Sequence, residues 1–190
     1  MVLEKNDLTD FPQPDEPVFY PKVGHCIYLG KTENSNIPGV QLLELESLDG
    51  GARLLVPIDK VIQLKLRNAG KSMDEIQNIL SSEFEEPLED ENELQKLIEV
   101  LIIEGTPRSL CLALKRLHLA QHQESLSREN EKVRKKIRSW LATEVSIEKG
   151  CTRIEAQALM TRLLQKAVAE YKLKEKRETR ERRRALLEQK

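Results

Sequence analysis

The sequence predicts an α+β chain with the β part first. Three observations carry this: Val-, Ile- and Leu-rich runs punctuated by Pro and Gly over residues 18–67, a switch to helical spacing at Ser72, and uninterrupted helical patterning after Glu93. The expected division is an extended lead-in over 1–16, a β-module over 17–70, a short helix and acidic linker over 71–93, a helical domain over 94–171 and a basic helical tail over 172–190.

Pro12, Pro14 and Pro17 disfavour helix and extend the lead-in. Residues 25–31, 40–48, 53–56 and 61–67 then read as strands. The last alternates, with Ile62, Leu64 and Leu66 on the buried face and Gln63, Lys65 and Arg67 on the wet one. Asp49-Gly50-Gly51 supplies the positive φ values of a tight hairpin, and Pro38-Gly39 a second turn. Strands this short, turned this often, predict a meander curled into a small barrel of the Tudor or SH3 kind. Such a module has little interior for a catalytic pocket, but its strand edges can accept a strand from another protein.

Ser72 with Glu75 forms a capping-box pattern ahead of Ile76, Ile79 and Leu80 at helical spacing. Residues 81–93 follow with seven acidic residues and Pro87, a linker that repels anions. Residues 94–104 form a helix stopped by Gly105, and Thr106-Pro107 opens the next over 108–123. Ser127 opens a third, closed by Gly150, and Thr152 with Glu155 caps a fourth. That last helix carries an apolar stripe through Ala156, Met160, Leu163, Ala167 and Tyr171. Beyond Tyr171 it should project into solvent, because residues 172–184 hold eight basic and three acidic residues with only Leu173 apolar. A solvated face laced by pairs such as Glu178 with Arg182 and an arm that contacts phosphates are both readings of this tail.

Composition excludes several classes. Aromatic residues make up 4% of the 190, little for a protein that stacks single-stranded bases, and the net charge of -1 gives no overall pull toward polyanions. The N-terminus carries charges where a signal peptide needs an apolar core, and Glu99 breaks the longest apolar run, so a soluble, cytoplasmic protein that avoids membranes is expected. Cys26, Cys111 and Cys151 are odd in number and widely spaced, which predicts reduced structural thiols. His118 and His122 have the i, i+4 spacing of metal ligands, but Leu119 stands where a catalytic glutamate would, and no third ligand is near. With no phosphate loop and no nucleophile elbow, neither an enzyme nor a cofactor, metal or small-molecule substrate is expected.

Val18, Tyr20 and Pro21, then Gly24, the Pro38-Gly39 turn and a strand ending Val56-Pro57 form a pattern that resembles the RNA-polymerase-interacting domain shared by CarD/CdnL transcription regulators and the transcription-repair coupling factor. The helices are similar to the CarD pattern as well: Gly105 closes a helix, Leu126-Ser127 opens the next, and Arg138, Leu141 and Glu144 fall in register. The resemblance implies a β-module that pairs with a strand of the RNA polymerase β subunit, and a helical domain that lies on promoter DNA and stabilises the open complex. The docking strand is then Arg53, Leu54, Leu55, Val56 and Pro57. In place of the family's basic residue before Val-Pro stands Leu55, with Arg53 on the same face.

The family's DNA-wedging tryptophan lies in a basic stretch, whereas residues 88–94 here carry four carboxylates. Trp140, the single tryptophan, falls at an aliphatic core position and is expected to pack. Candidate DNA contacts are Lys115, Arg116, Lys132, Lys135, Lys136 and Arg138. The expected function is a non-enzymatic transcription regulator that docks on polymerase. The alternatives are an interaction adaptor with a changed partner and a DNA-binding protein that uses its basic tail.

Overall fold

The computed structural model describes residues 12–21, 23–33, 39–61, 63, 65–70, 72–85, 88, 90–123 and 126–188. Among the described residues five strands, β1 (Pro17–Tyr20), β2 (Gly24–Glu33), β3 (Gln41–Ser47), β4 (Arg53–Pro57) and β5 (Arg67–Asn68), precede the α-helices. They form one antiparallel sheet in the order β4-β3-β2-β1-β5. A register shift between Tyr28 and Gly30 bends β2 where it crosses from β1 to β3. The β3–β4 hairpin closes as the sequence indicates, with Gly51 at φ 64° and the Ser47 N–H donating to the Ala52 carbonyl. The sheet is open: β4 and β5 are its two edges, and they do not pair among the described residues. Pro38, of the second expected turn, lies outside the described residues.

The expected strand over 61–67 does not form. Ile58–Lys60 is a 3-10 turn, Lys65 adopts φ 53°, and only Arg67–Asn68 pairs, against Phe19 and Val18 of β1. Val61 and Leu66 still pack on the module core, so burial is met by a folded-back turn rather than by alternation along a strand. Ile62 and Leu64 lie outside the described residues. Arg67, expected on a wet face, is turned inward.

Five α-helices follow among the described residues: α1 (Met73–Ser81), α2 (Glu91–Glu104), α3 (Pro107–Gln123), α4 (Arg128–Lys149) and α5 (Arg153–Glu188). Local signals set most of their ends. Gly105 and Gly150 sit in the left-handed region after α2 and α4, the Ser127 hydroxyl accepts from the Asn130 N–H, and Thr152 and Glu155 form a capping box. Two ends differ from expectation. α2 starts at Glu91, where the Asp90 carboxylate accepts from the Asn92 N–H and Glu91 and Glu93 occupy the first turn, so part of the acidic stretch complements a helix dipole. The Ser72 hydroxyl does not cap α1; Glu148 of α4 accepts from the Ser72 and Met73 N–H groups instead, both at 2.6 Å.

Val18, Cys26, Tyr28, Leu43, Leu45 and Val56 form the core of the sheet, and a larger core fills the helices. Phe19 of β1 points the other way and belongs to the helical core, where Trp140 meets it edge-on at 5.2 Å between centroids. Complete burial of one phenylalanine stabilises the joint by about 1.5–3 kcal/mol. Close backbone approach does the rest. A Cβ on Gly24 would lie 2.3 Å from Trp140 Nε1, and one on Gly105 2.4 Å from Pro21 Cγ. Both glycines have positive φ, so turn geometry and space favour the same residue.

Candidate functional site

The candidate docking strand, β4, is an outer strand of the sheet, paired among the described residues on one side only, to β3. Along it Leu54 and Val56 turn into the module core, while Arg53 and Leu55 face out, as a period of two requires. Leu55 is 57% exposed. Arg53 donates to Glu44 of β3 at 3.0 Å, across an exposed face on which an ion pair adds little stability. The outward row therefore has one large apolar side chain flanked by a charge pair, beside a row of backbone donors and acceptors that no other strand pairs among the described residues. This is the geometry that strand addition requires.

The six candidate DNA contacts divide into two groups. Lys132, Lys135 and Lys136 of α4 are exposed; Lys135 lies 3.5 Å from Glu131, and the Lys136 ammonium sits 4.7 Å from the centroid of the Trp140 ring. The other three are engaged within the protein. Lys115, expected on the surface, is buried, and its ammonium donates to the carbonyls of Ile79, Ser82 and Glu83 and to the Ser82 hydroxyl, closing the C-terminal end of α1. Burial lowers its pKa. With its donors spent on α1, it is not a surface phosphate ligand. Arg116 pairs with Glu85, and Arg138 donates to Thr161 Oγ1 of α5 at 2.7 Å. Trp140 is buried in the core, in agreement with the packing role read from its position.

A polar cluster that the sequence reading did not assemble lies at the joint. Glu144 is fully buried; its Oε1 lies 3.2 Å from His25 Nε2 and 2.7 Å from the Arg67 guanidinium, and its Oε2 accepts from the Gly70 N–H at 2.6 Å. Burial alone would raise its pKa, but His25, Arg67 and the Gly70 N–H together hold the carboxyl below its ordinary value. Arg67 also donates to the carbonyls of Gly105 and Asn68 and stacks 4.5 Å above Phe19. One carboxylate from α4 thus ties together β2, β5 and the turn before α1. The sequence signal was present: Glu144 interrupts the apolar row of Ile137, Trp140, Leu141 and Val145. A lone charge on a buried face requires a partner.

His118 and His122 meet edge-on at 4.9 Å between centroids. Burial, then the neighbouring His122, Arg134 and Arg138, pushes the His118 pKa down to about 4, so it is neutral at physiological pH. Among the described residues no three His, Cys, Asp or Glu side chains converge on a point where a metal ion would sit. All three thiols are free; burial, with Asp49 adding to it, raises Cys26 to about 11, and burial raises Cys111 further. No described helix is long and apolar enough to cross a membrane. No protein-family model matches the chain, and no curated protein matches it.

Proposed function

We propose that this chain is a non-enzymatic transcription regulator of the CarD type, whose module docks on the RNA polymerase β subunit by adding β4 to a strand of that subunit. The observation that carries the reading is the position of β4 at the edge of the sheet, with no further strand paired to it among the described residues, Leu55 outward and Arg53 on the same face. Main-chain hydrogen bonds supply most of the affinity in this mode, so Leu55 in place of a basic residue changes the side-chain contact while leaving the mechanism intact. The bent β2 and the short β5 support describing the module as a partial barrel of the Tudor or SH3 kind. With Trp140 in the core, the helical domain acts on the open promoter complex through charge, from Lys132, Lys135 and Lys136, rather than by wedging a base step.

A pull-down of purified polymerase, and separately of its β-subunit lobe, tests the proposal. Wild-type protein retains both, and the Arg53→Glu, Leu55→Glu double variant retains neither while keeping its circular dichroism, since both side chains are exposed. Failure of folded wild-type protein to bind polymerase at low salt overturns the reading and leaves an adaptor for a different protein strand.

A further inference from the structure

From Lys172 to Arg184, past the last core contact at Tyr171, α5 takes no part in the joint, the β4 edge or the helical core. The helix runs unbroken for 36 residues, about 54 Å at 1.5 Å per residue. It packs through Ala156, Met160, Leu164, Ala167 and Val168, and from Lys172 through Arg184 every residue is exposed. Eight cations and three carboxylates lie in that exposed stretch, although the whole chain has a net charge of -1, so the remainder of the protein is net acidic.

The charges are sorted by face. Lys172, Lys176, Arg180 and Arg184 stand at successive i, i+4 positions, and Arg177 and Arg183 flank them. At 3.6 residues per turn these six cover an arc of about 140° that contains no acidic residue. Glu175, Glu178 and Glu181 lie on the other side, together with Lys174 and Arg182. The bundle-facing stripe of Met160, Leu164, Ala167 and Val168 is centred roughly half a turn from the centre of the six cations, so from Lys176 onward the cationic face looks away from the bundle. Lys172, at its start, lies near enough to His122 of α3 to add to burial in lowering the pKa of that imidazole. Lys174, on the mixed side, reaches back to Glu83 at 3.2 Å. None of the six enters an ion pair among the described residues.

Like charges at i, i+4 destabilise a helix by about 0.2–0.5 kcal/mol per pair, and this row contains three such pairs. A merely solvated helix does better with mixed charges; a row of this kind gains from a polyanion that neutralises it. The face lacks the broad apolar strip of a helix that lies in a membrane interface, having only Leu173 among large apolar residues up to Arg184. It also lacks the aromatic rings that hold single strands. We infer that the outward face of α5 from Lys172 to Arg184 is a contact for the phosphate backbone of duplex DNA, independent of base sequence. Strand addition by β4 is not required for it.

The test is fluorescence anisotropy of the full-length chain, without polymerase, against a labelled 30-base-pair duplex over a range of salt. Six phosphate contacts predict a log–log salt slope of about −5 and a loss of about 10³-fold in affinity between 50 and 200 mM salt. Lys176→Gln with Arg180→Gln lowers the steepness of that slope by about 2 and weakens binding. Lys174→Gln with Arg182→Gln removes the same charge from the mixed face and leaves binding within about twofold if the ridge is the contact. Two duplexes of unrelated sequence bind alike. The inference is overturned if the folded wild type does not bind duplex at 50 mM salt, if the two double variants weaken binding equally, or if the chain binds only single strands or only anionic vesicles. Polymerase binding is scored separately, so the two proposals fail independently.

Discussion

Replacing Glu144 with Gln tests the joint most directly. The variant keeps the shape and one acceptor, enough to serve the Gly70 N–H, but removes the charge shared by Arg67 and His25. Breaking a buried ion pair by removing one partner costs about 3–5 kcal/mol, and the partial exposure of Arg67 with the retained hydrogen bond places Glu144→Gln near the lower end, about 3 kcal/mol. With a urea slope of about 2 kcal/mol/M, the midpoint should fall by about 1.5 M. Trp140 is the single tryptophan and is 1% exposed, so its emission reports loss of the same joint. The pH dependence has a definite sign. Because the folded carboxyl titrates below the ordinary 4.5, its contribution is present above that value and is lost as pH falls below it toward the folded pKa. The gap between wild type and variant should therefore be full at neutral pH and shrink in acid. A difference at neutral pH below about 0.5 kcal/mol, the size of an ordinary surface change, would refute the reasoning.

Gly24→Ala should destabilise by about 3 kcal/mol, since the new methyl group meets the Trp140 indole at a φ of +114°, whereas Gly50→Ala, with open space around it, should be nearly neutral in the same urea titration. An NMR titration should find the His118 imidazole near 4 rather than 6.5. The unfolded chain then takes up this proton first, so stability falls as pH drops from about 6.5 to about 4, and His118→Leu should remove that component. A thiol reagent at mildly alkaline pH should modify Cys151 in the native protein and reach Cys26 and Cys111 only on unfolding; rapid reaction of all three would contradict the burial pattern.

The helices were legible in the sequence where their ends are set by neighbours in the chain. Gly105, Gly150, Ser127 and the Thr152–Glu155 box act within four residues, and each does what its local chemistry dictates. The start of α1 was not legible, because its donors are satisfied by Glu148, more than seventy residues away. The same holds for residues 61–67. Their alternation is that of a strand, but Arg67 gains more from Glu144, Phe19 and the Gly105 carbonyl than from solvent on a wet face. The exposed face of β4 could be read from a period of two, whereas Lys115 could not, since its partners belong to the end of a different helix. Separation in sequence, rather than weakness of the interaction, hid these contacts.

Close packing at Gly24, Gly70 and Gly105 ties the sheet to the helices among the described residues, and α5 is continuous with the helical side of that joint. Anything held at the β4 edge and anything held along α5 are therefore kept at one separation and one orientation. Under these conditions the second binding event becomes intramolecular, at an effective concentration on the order of millimolar when the two targets match that separation, and nearly zero when they do not. With both proposed contacts made, such a protein would measure the distance between them, and lengthening α5 by a half turn should then harm joint binding more than weakening either contact alone.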